Sequence, residues 1–146
     1  MLKMVYAVDS NVLIDVFTND PAFADASIAA LSRAAESGTL IACEIVFAET
    51  ASMFPNEEAF RLQMEACGVR FSAMSESASR KAGAMWRTFL KRRRTQSRGT
   101  PRRCVVPDFL VGAHALECAD ALITRDRGFL RDYFKELKIV DPSISE

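Results

Sequence analysis

Short runs rich in β-forming residues recur along this chain near positions 4–8, 40–43, 69–73, 121–124 and 138–140, and helical stretches separate them. That alternation restricts the fold more than any other feature, because strands joined through helices pair in parallel and bury both faces of the sheet. The helical stretches are a short segment after Asp9, then 22–36, 44–53, 56–66, 76–94 and 107–118. Gly38 and Gly68 stand where two of them should stop. The expectation is a three-layer α/β/α sandwich around a mainly parallel sheet of roughly five strands.

A chain of 146 residues, 49% of them hydrophobic, suits one compact domain over 1–146. No apolar stretch approaches the roughly 20 residues of a membrane span, and the N-terminus lacks the order of a signal peptide, so a cytoplasmic location and no membrane partner are expected. Cys43, Cys67, Cys104 and Cys118 show no CxxC spacing and read as free thiols rather than zinc ligands.

The formal net charge of zero conceals an asymmetry. Residues 1–66 carry 10 acids and 3 bases, whereas 67–146 carry 9 acids and 16 bases. Seven of those bases fall in KRRRTQSRGTPRR, residues 91–103, within what reads as a basic loop near 91–106. Arg92, Arg93, Arg94, Arg102 and Arg103 are its candidate phosphate contacts, since each base that meets a phosphate releases condensed counterions. The competing reading is a solvated loop, which Gly99, Pro101 and the Ser/Thr/Gln content also suit.

Four acids share one local context although they are scattered along the chain. Asp9 ends the apolar run Met4 to Val8, and Ser10 and Asn11 after it are helix-capping types. Thr124 and Asp126, two apart at the end of the run Ala121 to Ile123, would project to the same side. Asp108 follows Pro107 in the first turn of a helix, where the helix dipole favours a carboxylate. Glu49 lies in the helix after the second strand, near a face formed by Ile45, Ala48 and Ser52. In open α/β sheets ligands bind outside the carboxyl ends of the strands, which would bring these acids to a shared crevice. Clustered carboxylates repel one another unless a cation neutralises them, and an oxygen-only set suits Mg²⁺ or Mn²⁺. The chemistry implied is metal-assisted hydrolysis of a phosphodiester.

The pattern DSNVLID at the start, then AE, then PDFLVGAHAL, then LITRDRGFL resembles the PIN domain, most closely the VapC-type toxins of bacterial toxin–antitoxin pairs, over nearly the whole chain. The resemblance implies a PIN-like sheet and an Mg²⁺- or Mn²⁺-dependent endoribonuclease. Its acidic centre would be Asp9, Glu49, Asp108 and Asp126, with Asp9, Asp108 and Asp126 as metal ligands. Thr124 would bond a metal-bound water or an acidic ligand; Ser10 and Asn11 match the small polar residues after the first Asp, with Asn11 orienting Asp9. It also implies an RNA substrate, a homodimer, and a cognate antitoxin whose tail places a basic side chain in the acidic pocket. The basic stretch before Asp108 is longer than a simple connection needs and would hold the RNA backbone, with single-stranded or looped RNA as the target.

Duller readings compete with each residue. Asp9 would be a turn residue, Asp126 an N-cap, Asp108 a first-turn charge, Glu49 a surface acid and Asp15 a solvated helix residue. His114 reads as packed or surface rather than as a general base, and Met85, Trp86 and Phe89 as a helical core face. Other functions weighed are a housekeeping RNA-processing or flap-type PIN nuclease and a PIN-like binding module without catalysis. A haloacid dehalogenase-like phosphohydrolase would want Asp where Asn11 stands, and a receiver domain would want an acidic pair before its phosphoacceptor.

Overall fold

Valines and a tyrosine make Met4–Val8 a strand, β1, and its central place in the sheet organises the rest of the computed structural model, which describes residues 3–96 and 105–144. β1 pairs in parallel with β2 (Gly38–Ala42) on one side and with β4 (Ala121–Ile123) on the other. β3 (Val69–Phe71) extends the sheet beyond β2, and β5 (Ile139–Val140) extends it beyond β4, giving the order β3-β2-β1-β4-β5, parallel throughout. The chain therefore leaves β1 in one direction first and returns to its other edge later. The crevice at the carboxyl ends of β1 and β4 is the switch point at which such sheets bind ligands.

Seven helices supply the outer layers among the described residues: α1 (Ser10–Phe17), α2 (Ala24–Ser37), α3 (Glu44–Ala51), α4 (Glu57–Cys67), α5 (Glu76–Gln96), α6 (Val105–Cys118) and α7 (Arg127–Tyr133). The core between them and the sheet is aliphatic and aromatic: Val8, Val12, Leu13, Leu122, Ile123 and Leu130 are each at most 1% exposed. Phe109 on α6 is fully buried and meets the rings of Phe89, Tyr133 and Phe134 at centroid distances of 5.9, 5.1 and 6.4 Å. Two glycines have steric reasons. A Cβ on Gly38 would stand 2.0 Å from the carbonyl oxygen of Met4, so only glycine lets β2 meet β1 there. Gly68 closes α4 with φ of 72°, the left-handed region that suits a helix C-cap.

The five strands and six of the helices fall where the sequence places them. α7 stands where the duller reading of Asp126 as an N-cap implied a helix; it is 7 residues long and opens on Arg-Gly, which carries little helical signal. Asp126 occupies its N-cap position, yet its side chain makes no capping bond. α5 takes in Lys91, Arg92 and Arg93, as the helical reading of 76–94 had it and the loop reading of 91–106 did not, and ends at Gln96; Lys and Arg are good helix formers. Arg102, Arg103 and Cys104 lie outside the described residues, as does the side chain of Arg94. Trp86 is 38% exposed rather than part of the core face, while Met85 and Phe89 do pack against the core. Asp15 is only 3% exposed, not solvated, because it is ion-paired with Arg125. The described cysteines, Cys43, Cys67 and Cys118, are free. No helix of the described residues is long and apolar enough to cross a membrane.

Candidate active site

β1 ends by handing its last ladder bond to Asp9, whose backbone N–H donates to the carbonyl of Ile123 on β4 at 3.0 Å. That bond fixes Asp9 beside the end of β4. Its extended backbone (φ −81°, ψ 154°) makes it the N-cap of α1, and Oδ1 accepts the N–H of Ser10 at 2.7 Å. The cap is thus Asp9 itself and not Ser10 or Asn11, which lie inside α1, and its other oxygen is used differently. Oδ2 accepts the hydroxyl of Thr124 at 2.8 Å.

Thr124 is the hub that joins the two strand ends. Besides donating to Asp9, its Oγ1 accepts from Asn11 Nδ2 at 3.3 Å and from the backbone N–H of Asp126 at 3.0 Å. Asn11 therefore does not bond Asp9, as expected from the sequence, but holds Thr124, which does; its Oδ1 also accepts the N–H of Arg125 at 3.3 Å. Ser10 reaches the opposite way, and its hydroxyl donates to Glu49 Oε1 at 3.1 Å. Glu49 itself is exposed, since Val46 and Thr50 form the buried side of α3 instead of Ile45, Ala48 and Ser52.

Asp9 is 8% exposed, and its carboxyl holds its proton more tightly than an ordinary aspartate. Burial is the main cause, and the charges of Glu49 and Asp126 add to it; the bonds from Thr124 and Ser10 work against it. Asp108, half-buried, lies in the first turn of α6. α6 packs on β1 and β4 and runs down to feed β4, so its N-terminal turn stands toward the carboxyl ends of the strands. The bonded network thus takes in Asp9, Ser10, Asn11, Glu49, Thr124 and Asp126, and Asp108 approaches the rim through α6.

Whether these residues suit a divalent cation can be judged from their donors. Among the described residues no group of three or more His, Cys, Asp or Glu side chains converges as a ready metal-holding set. The donor chemistry nevertheless fits: the atoms around Asp9 are carboxylate and hydroxyl oxygens, and a buried carboxylate repelled by two further acids is relieved by positive charge. His114 is remote from this chemistry. It is buried in α6, with Nε2 3.0 Å from Ser72 Oγ, and burial favours its neutral form.

Two basic side chains of the 91–103 segment pack on aromatic rings. The guanidinium carbon of Arg92 stands 4.9 Å from the centroid of Tyr133, and that of Arg93 stands 5.7 Å from Phe89. One connection had no counterpart in the sequence reading: Arg125, between Thr124 and Asp126, forms an ion pair with the buried Asp15. A basic residue inside a strand-end motif was the sole sequence signal for it.

Comparison with solved structures shows the same fold in toxin–antitoxin complexes. VapBC2 from Rickettsia felis, bound to a promoter DNA fragment, matches with a TM-score of 0.65 and 20% identity over 94% of this chain and 98% of that one. DNA-bound VapBC from Salmonella typhimurium gives 0.63 and 17% over 97% and 99%, and a toxin–antitoxin complex from Klebsiella pneumoniae gives 0.60 and 20% over 94% and 97%. No curated protein matches the chain. The family model described as the PIN domain matches residues 6–135, which takes in every acid of the site, and the chain belongs to the PIN-domain family.

Proposed function

We propose that this protein is a metal-dependent endoribonuclease that hydrolyses RNA phosphodiester bonds, acting as the toxin of a toxin–antitoxin pair. The observation that carries the reading is the buried Asp9, held by Thr124 and Ser10 and repelled by Glu49 and Asp126 at the switch point of a PIN-domain sheet. Asp9, Asp108 and Asp126 would hold Mg²⁺ or Mn²⁺, which when bound supplies Lewis-acid polarisation of the scissile phosphate and a water acidic enough to attack it. Thr124 keeps Asp9 oriented, and Asn11 keeps Thr124 in place. Glu49, exposed and bonded to Ser10, is the group able to take up the proton that the attacking water loses.

Arg92, Arg93, Arg94, Arg102 and Arg103 would track the RNA backbone, which positions the strand without reading its sequence. A recessed acidic site favours single-stranded or looped RNA. That the similar solved structures are toxin–antitoxin complexes supports a cognate antitoxin as partner. Such an antitoxin would neutralise the pocket with a basic side chain, and a homodimer is part of the same reading.

The experiment is an end-group analysis of products from single-stranded RNA incubated with the purified chain and Mg²⁺. Attack by water leaves linear phosphate ends, whereas attack by the RNA's own 2′-hydroxyl leaves 2′,3′-cyclic phosphate. Linear ends that vanish with EDTA are expected; cyclic ends that persist in EDTA contradict the reading.

A further inference from the structure

Arg125 lies between two residues of the acidic network, but its own side chain reaches elsewhere. Nε donates to Asp15 Oδ2 at 2.7 Å and Nη2 donates to Asp15 Oδ1 at 3.0 Å, a two-pronged pair with a carboxylate that is only 3% exposed. Ser27 on α2 donates its hydroxyl to the same Oδ2 at 3.2 Å. The guanidinium carbon stands 4.1 Å from the ring centroid of Phe23, just before α2, and the Arg125 backbone N–H donates to Asn11 on α1. Residues 124–126 are thereby tied to α1 by side chain and by backbone, and stacked on the entrance to α2.

An ion pair with a buried carboxylate and a partly exposed guanidinium is a poor source of stability, because desolvation of the carboxylate offsets much of the attraction and apolar replacements of similar volume are often neutral. What a two-pronged arginine pair supplies is direction, since the planar fork admits one relative orientation of the groups it joins. Asp126 follows Arg125 directly, at the N-cap of the 7-residue helix α7, so an anchor at Arg125 acts one residue from its carboxylate.

We infer that the Asp15–Arg125 pair is a positioning device that aims Asp126 and Thr124 at the cation held by the acidic site. This rests on the reading that Asp9 and Asp126 take a divalent ion. Asp15 and Arg125 touch neither substrate nor cation; they act through residues 124–126. The pair also removes Asp15 from the set of acids that face the cation, because its charge is already matched.

The test is Mn²⁺ affinity of the full chain, read from the free-ion signal in electron paramagnetic resonance, with the melting temperature measured alongside. Arg125→Lys keeps the charge and the apolar stem but loses the fork. The double variant Asp15→Leu with Arg125→Met replaces both charges by apolar groups. Both are expected to fold, the lysine variant with a melting temperature close to the parent's and the double variant a few degrees lower because the buried Ser27 hydroxyl loses its acceptor. The lysine variant should bind Mn²⁺ a few-fold more weakly and the double variant at least about ten-fold more weakly, the range expected for loss of outer-shell support. Parental affinity in both variants would overturn the positioning role while leaving the metal site standing. Unfolding of either variant would make the pair part of the core and overturn it too. A parent chain that binds no Mn²⁺ would overturn the underlying reading, and the inference with it.

Discussion

Thr124 Oγ1 donates to Asp9 Oδ2 at 2.8 Å, a bond between residues 115 positions apart that joins the ends of two neighbouring parallel strands. Because the same oxygen accepts from Asn11 and from the N–H of Asp126, a single hydroxyl sets the relative placement of two acids. Replacing Thr124 by Val removes all three bonds at nearly constant volume and leaves buried partners unpaired. We expect about 1–3 kcal/mol of lost stability and a roughly 10–100-fold fall in Mg²⁺-dependent cleavage. Thr124→Ser should recover most of both, as read by chemical denaturation and by cleavage rates.

Asp9 carries a pH signature whose sign is determined by its environment. A carboxyl whose proton affinity is raised on folding stabilises the fold below its ordinary value of 3.8, and that contribution is lost as pH rises through the raised value. Above that value the ionised Asp9 is a cost to the metal-free fold. Asp9→Asn removes that cost together with one of the two accepting oxygens, so the metal-free variant should gain on the parent as pH rises through the raised value and lose the gain as pH falls below it. Saturating Mg²⁺ should raise the parent's melting temperature and not the variant's, since ligand binding to the folded state stabilises it by mass action. Thermal melts across pH, with and without Mg²⁺, check both halves.

Thr50 tests the packing independently of the site. Its hydroxyl is fully buried in α3 and has no hydrogen-bond partner among the described residues. Thr50→Val keeps the shape and removes the unpaired polar atom, so a gain of about 1 kcal/mol is expected. A loss in a urea melt would mean that the hydroxyl has a partner.

For the basic segment, Arg92, Arg93 and Arg94 replaced together by Ala should weaken RNA binding and flatten its salt dependence, by roughly 0.7 in the log–log slope for each lost contact to single-stranded RNA. Mn²⁺ affinity should be unchanged. Arg92 and Arg93 also stack on Tyr133 and Phe89, so some stability is expected to go with them. An unaltered salt slope would assign the segment to packing alone.

What could be read in advance followed from local chemistry. The strands are short runs rich in apolar residues, and their alternation with longer helical stretches points to the parallel sheet. Asp9, Asp108 and Asp126 stood out as candidates because each ends a strand or opens a helix; Glu49, inside α3, had no such mark. The wiring between them was not legible, because it depends on contacts across long sequence separations. Asp15 reads as a solvated helix residue until Arg125, 110 positions later, is folded against it. Asn11 reads as a partner of Asp9 until β4 brings Thr124 between their roles. α7 enters only as the helix that Asp126 would cap, because it is short and begins on Arg-Gly. Residues 91–94 read both as the end of a helix and as the start of a basic loop, because bases that suit a solvated loop suit an exposed helix equally; α5 takes them.

The central claim, that the acids around Asp9 form a metal-dependent RNA-cleaving site, is tested most directly by incubating a mixed pool of structured cellular RNAs with the purified chain in Mg²⁺ or Mn²⁺, against EDTA, with Asp9→Asn in parallel. Discrete cuts that require the metal and disappear in the folded variant are the expected result. Equal cutting by Asp9→Asn, or no cutting by the parent chain with either metal, would contradict it.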